Sequence, residues 1–122
     1  MPRVQALQAH IEAKPGAAGD VLPSARGVTL YKVMGKMFAI LTATEKLQGV
    51  SLKCDPHLVE ILREQYSGVG HRGHLDRRFW IFVRFDADVP EAEIERLIDH
   101  SYDLVRAGLT RKQRAALGQS GP

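Results

Sequence analysis

The sequence predicts an α+β domain, a single antiparallel sheet with helices packed on one of its faces. Two observations carry this prediction. Segments with the apolar spacing of helices stand at the start, middle and end of the chain, separated by runs rich in β-branched and aromatic residues. Gly35-Lys36 joins two of those runs at the length of a tight hairpin. The expected order is α-β-β-β-α-β-β-α, in the two-layer arrangement that such an alternation favours.

Val4, Leu7 and Ile11 recur at helical spacing and give the first helix. Lys14-Pro15-Gly16 stops it, because proline disfavours the α conformation in the residue before it. Residues 15–27 are rich in Gly, Ala, Pro and Asp and read as a connecting loop. Val28 to Met34 and Met37 to Thr42 then read as two strands, with Gly35-Lys36 as the turn and Lys36 at its tip. Val50 to Lys53 completes an antiparallel meander.

Asp55-Pro56 starts the second helix, with an acceptor at the cap and proline in the first turn. Leu58, Ile61, Leu62 and Tyr66 form its apolar stripe, and Gly68 and Gly70 end it. Phe79 to Phe85 is the clearest strand, with Leu75 placed in a short strand before it. Asp88 and Glu91 have capping-box spacing for the last long helix, whose buried face is Ile94, Leu97, Ile98, Ser101 and Val105. Residues 1–110 thus form one domain. Residues 111–122 are a basic tail, with room for a short helix and a frayed end.

Composition bounds the function. A chain of 122 residues with 44% apolar content can bury a core without disulfides or a structural metal. The lone Cys54 suits a reducing compartment, and no apolar run reaches the roughly 20 residues of a membrane span. A cytoplasmic protein is expected. Lys and Arg number 17 against 14 Asp and Glu, giving +3 and a pI near 9.2. That charge is compatible with nucleic acid without demanding it.

Lys14-Pro15-Gly16, the run from Tyr31 to Ala39, Leu52-Lys53-Cys54-Asp55-Pro56, Trp80, and the run from Asp99 to Val105 stand in an order that resembles the MmcQ/YjbR family. The likeness spans residues 14–109. It implies the architecture of the frataxin homologue CyaY, and a sheet likened to the double-wing DNA-binding module. Members of the family are commonly called DNA-binding proteins on that likeness of shape. Before Trp80 the chain departs from the pattern: His74, Arg77 and Trp80 match, whereas Gly73, Asp76 and Phe79 replace the family's tyrosine, asparagine and histidine. Pro23-Ser24 likewise stands where the family has Pro-Phe-Gly.

The candidate binding residues are Lys36, Lys53, Arg72, His74, Arg77, Arg78 and Trp80. Phosphate binding needs several cations on one surface, and an aromatic side chain offers a stacking face. Lys32 on a neighbouring strand and Arg84 extend the set. The plainer reading is a solvated basic face with Trp80 in the core. Weakly specific DNA contact is the first functional expectation, and a protein-interaction or small-ligand module on the same sheet face is the alternative. A monomer or weak dimer is expected.

No catalytic residue, cofactor or metal site is expected. His71 and His74 lie in a Gly-rich stretch with only Asp76 as a third candidate ligand. The acidic ridge through which frataxin holds iron is absent from the first helix, which offers only Glu12. Asp99, His100, Ser101 and Asp103 contain the letters of a hydrolase triad. Successive helical side chains point about 100° apart, so Ser101 and His100 cannot pair as nucleophile and base. Gly68, Gly70 and Gly73 match a dinucleotide fingerprint by letter but follow a helix and precede a strand, the reverse of the required context. Cys54 borders a helix start that can activate a thiol, and is equally read as a small buried hydrophobe.

Overall fold

The computed structural model describes residues 2–120. The elements are α1 (Pro2–Glu12), β1 (Ala17–Val21), β2 (Val28–Val33), β3 (Lys36–Ala43), β4 (Gln48–Lys53), α2 (Pro56–Gln65), β5 (Val69–Gly70), β6 (Trp80–Arg84), α3 (Glu91–Ala107) and α4 (Arg111–Ser120). The strands form one sheet in the order β1-β2-β3-β4-β6-β5, with every neighbouring pair antiparallel. The predicted α+β class holds. Among the described residues, no helix is long and apolar enough to cross a membrane.

Strand alternation divides the sheet into two unlike faces. Tyr31, Val33, Ala39, Leu41, Val50, Leu52, Ile81 and Val83 point to one side and are buried. There they meet Leu7 and Ile11 of α1 and Ile94, Ile98 and Val105 of α3. Burying each such Leu, Ile or Phe contributes on the order of 1.5–3 kcal/mol. The predicted buried face of α3 is correct, and Tyr102 joins it.

The structure corrects the sequence reading at several places. The expected loop 15–27 contains β1, an edge strand with four of its five residues exposed, so no apolar period announces it. Gly19 lets β1 approach closely, since a Cβ there would lie 2.8 Å from the Tyr31 ring. The hairpin turn is Met34-Gly35, with φ of 50° and 78°, one residue earlier than expected. Lys36 is therefore the first residue of β3, paired with Val33, and not the tip. On α2 the buried residues are Val59 and Leu62, whereas Leu58 and Ile61 are exposed. That helix covers only the short β5 end of the sheet, so a narrower stripe suffices. The short strand before β6 is Val69–Gly70 and not the segment around Leu75.

Asp88 does not cap α3, which starts after Pro90 without a side-chain cap. Its carboxylate accepts the Ser67 and Gly68 N–H groups instead, fixing the turn that leads into β5. The predicted cap of α2 is present, with Asp55 accepting the His57 N–H at 2.8 Å. The basic tail forms α4, whose Leu117 is buried against the core. Gly121 and Pro122, part of the expected frayed end, lie outside the described residues.

One buried hydroxyl organises the centre. Thr44 N–H donates to Leu47 O, so the hydrogen-bonded rungs of the β3–β4 ladder recur at Thr42–Gly49 and Ile40–Ser51 and are next due at Phe38–Lys53. A bulge at Phe38 interrupts the sheet there: Tyr31 pairs with Ala39 and Lys32 with Met37, leaving Phe38 without a partner on β2. Ser101 of α3 bridges this rung from outside the sheet. Its hydroxyl donates to Phe38 O at 2.6 Å and accepts the Lys53 N–H at 2.9 Å.

Neighbouring residues of α3 extend this anchorage. His100 Nε2 accepts the Asp55 N–H at 3.2 Å, and Tyr102 donates to Pro15 O at 2.6 Å while packing edge-on against Phe38. Asp99 pairs with Lys14 and with His10 of α1. The triad letters are thereby dispersed into separate structural bonds.

Ser101→Ala takes a partner from a buried carbonyl and N–H together, so urea unfolding is expected to show a loss of about 1–3 kcal/mol with an unchanged slope. Cys54 is 1% exposed, and burial, aided by the Asp55 carboxylate, pushes its thiol up to about 11. Its thiol is expected to resist a disulfide reagent at neutral pH until the protein unfolds, and rapid labelling of the native protein would contradict that burial.

Candidate binding face and its overlying loop

The face of the sheet turned away from the helices carries the candidate site. Direct cross-strand partners project to the same side, which places Val28, Leu30 and Lys32 of β2 with Met37, Ile40 and Thr42 of β3. Ser51 and Lys53 of β4 follow, then Trp80, Phe82 and Arg84 of β6. Among the described residues, no helix covers this side. Residues 71–79 fold back over part of it instead, so that Arg72, Gly73, His74 and Leu75 face Val28, Ile40, Thr42 and Ser51 across a cavity of about 360 Å³.

Phe82 explains how a large ring on an uncovered face becomes buried. Gly49 leaves a slot for it, because a Cβ there would lie 2.5 Å from the tip of the ring. The Arg72 guanidinium stands 5.7 Å from the ring centroid on the loop side, at cation–π distance. Trp80 is half-buried beside Lys53, so it is neither fully core nor free.

Loop 71–79 is tied by its own side chains. Asp76 takes the Arg78 N–H and guanidinium at 2.9–3.2 Å, and its carbonyl accepts the Phe79 and Trp80 N–H groups. His71 bonds Leu75 O, closing the first half of the loop. Arg63 of α2 reaches the Arg77 carbonyl at 3.1 Å.

The predicted cations divide on this frame. Lys53 and Trp80 are cross-strand partners on the open face, and Arg72 and His74 line the cavity on the same face. Lys36 does not share it. Paired with the buried Val33, it belongs to the helix side, where its Nζ lies 3.3 Å from Gly108 O at the end of α3. A lysine there complements the negative end of the helix. Arg78 is neutralised by Asp76 and stacks on Phe79, while Arg84 pairs with Asp86. Arg77 is exposed on the loop, and neither it nor Lys32, Lys53 or Arg72 has a carboxylate partner among the described residues. Sequence reasoning missed Thr42 and Ser51 in the cavity floor; small polar residues near strand ends give no signal without the register.

The Asp76 carboxyl is held down at about 2, first by the Arg78 side chain and then by the Arg78 N–H. A depressed acid favours the folded loop above the ordinary carboxylate range, and that contribution disappears as pH falls from about 4 towards about 2. The Arg78 amide signal of the folded protein is expected to titrate by NMR with a midpoint near about 2, and Arg78→Ala to return it towards about 4.

The YjbR family model matches residues 12–104. The uncharacterized protein YjbR of Escherichia coli K12 is 34% identical over 116 residues, covering 95% of this chain and 98% of that protein. The uncharacterized E. coli O157:H7 protein YbdF is 26% identical over 85 residues, 70% of each chain. Among solved structures, Deinococcus radiodurans DR2400, with a DUF419 domain, superposes with a TM-score of 0.82 at 29% identity, covering 94% of this chain and 87% of that one. A Pseudomonas syringae protein shares the fold at a TM-score of 0.71 and 22% identity, covering 82% of this chain and 96% of its own. With the family pattern matched along most of its length and the bonds of its motif residues accounted for, this chain belongs to the YjbR family.

Proposed function

We propose that this chain is a non-catalytic binding module whose ligand seats on the open face of the sheet. The observation that carries this reading is the unequal treatment of the two faces. The helix side is sealed by α1 and α3, whereas the other side keeps Ile40, Met37 and Trp80 without a helix over them. Lys32, Lys53 and Arg72 stand on that same side with no paired carboxylate among the described residues. An uncovered apolar surface bearing unpaired cations suits recognition of an anionic partner. The absence of catalysis is supported by Asp99, His100 and Ser101, each engaged in a different structural bond.

Nucleic acid is the second reading, favoured by Lys53 and the half-buried Trp80 lying side by side on the face that also carries Arg72 and His74. With Lys36 turned away and Arg78 compensated, few phosphates can be met at once. Any such binding is then weak and sequence-tolerant, with a salt slope of only a few counterions. Fluorescence anisotropy with labelled duplex and single-stranded DNA, at a low and a moderate salt concentration, measures this. Lys53→Glu and Arg72→Glu are expected to reduce binding by about tenfold or more. Lys36→Glu is expected to leave it nearly unchanged. Equal losses from all three would remove the open-face assignment, and no binding of the folded protein at low salt would remove nucleic acid as the ligand.

A further inference from the structure

We infer that the cavity beneath residues 72–75 is a pocket for a small amphiphilic anion, a compact apolar body carrying a hydrogen-bonding polar edge and one carboxylate, sulfonate or phosphate group. This rests on the open-face reading and names its ligand class. The space of about 360 Å³ lies within the range of small-molecule sites. Val28, Ile40 and Leu75 supply apolar walls.

The floor carries the argument. Thr42 is 4% exposed and Ser51 is 5% exposed, and both line the cavity. They are diagonal neighbours on β3 and β4, one rung apart. Neither hydroxyl has a hydrogen-bond partner among the described residues. Neither oxygen is among the buried side-chain atoms left without a partner, so the little exposure each residue keeps is at its hydroxyl, which opens into the cavity and stays available to a ligand. Two adjacent hydroxyls that can each donate or accept fit a carbonyl, amide or ether edge of a ligand.

The rim supplies the charge. Arg72 and His74 stand over one side, and Arg72 rests on Phe82 with no carboxylate to hold it. Its guanidinium can therefore swing from the ring to an anion without breaking an ion pair. Gly73, at φ 75° with open space where a Cβ would be, gives the loop between them a point of low steric resistance. The cavity thus combines an apolar body, a polar floor and a cationic rim, the combination an amphiphilic anion requires.

The test uses 8-anilinonaphthalene-1-sulfonate, with its uncharged analogue N-phenyl-1-naphthylamine, titrated into the full chain by fluorescence. Binding is mapped by amide chemical shifts. The sulfonate is expected to bind one-to-one, about tenfold more tightly than the neutral probe, a ratio that corresponds to about 1.4 kcal/mol. Arg72→Ala should abolish that preference. Thr42→Val and Ser51→Ala, which keep the volume and remove the hydroxyls, should each lower affinity several-fold while thermal unfolding remains cooperative. Shifts centred on Thr42, Ser51 and residues 72–75 support the pocket. Shifts around Lys32, Met37 and Trp80 that none of these variants alters would overturn the pocket and leave the open-face reading standing. Shifts confined to the helix side, or no binding by the folded protein, would overturn both.

Discussion

The fold depends on a single hydroxyl that completes a β-ladder from outside the sheet. At the bulge, where the β2–β3 register slips, the Phe38 carbonyl of β3 and the Lys53 N–H of β4 both meet α3. Ser101 joins the two through its side chain. This sets the height of α3 over the sheet, because only a short side chain reaches both atoms with the helix packed close. The flanking residues then fix everything α3 touches: His100 holds the start of α2, Tyr102 holds the corner after α1, and Asp99 holds α1 itself.

From that constraint the two faces acquire different duties. The helix side is crowded with buried aliphatic residues and short polar ties, and little there can change without cost. The open side has looser demands. Its ring at Phe82 is kept dry by the slot at Gly49 and the guanidinium of Arg72, not by a second layer of helices. Loop 71–79 is closed by Asp76 and its neighbours, so it remains a small self-contained cover rather than part of the main core.

Much of the fold was legible in the residues and much of the site was not, for the same reason. Periodicity reports burial, so α3, β6 and the meander, each with a well-buried side, were visible as patterns. β1 and the exposed flank of α2 were not, since an edge strand of Ala, Gly and Asp hides nothing and Leu58 and Ile61 look as apolar exposed as buried. The binding cations depended on parity. The turn falls one residue before the expected place, at Met34-Gly35, and so Lys36 is a strand residue on the helix side rather than the tip beside Lys53. Strand parity alone placed Trp80 and Phe82 on one side, but only the register brought Thr42 and Ser51 beneath the loop.

The motif residues that identify the family are thus largely the bolts of its frame. Lys14, Pro15, Phe38, Asp55 and the run from Asp99 to Tyr102 are engaged with one another on the helix side, away from the surface offered to a ligand. Two chains could therefore share the whole signature and still recognise unrelated molecules, because exchanging Thr42, Ser51 or Arg72 leaves every bolt in place. In such a scaffold specificity can drift while ancestry stays plain to read.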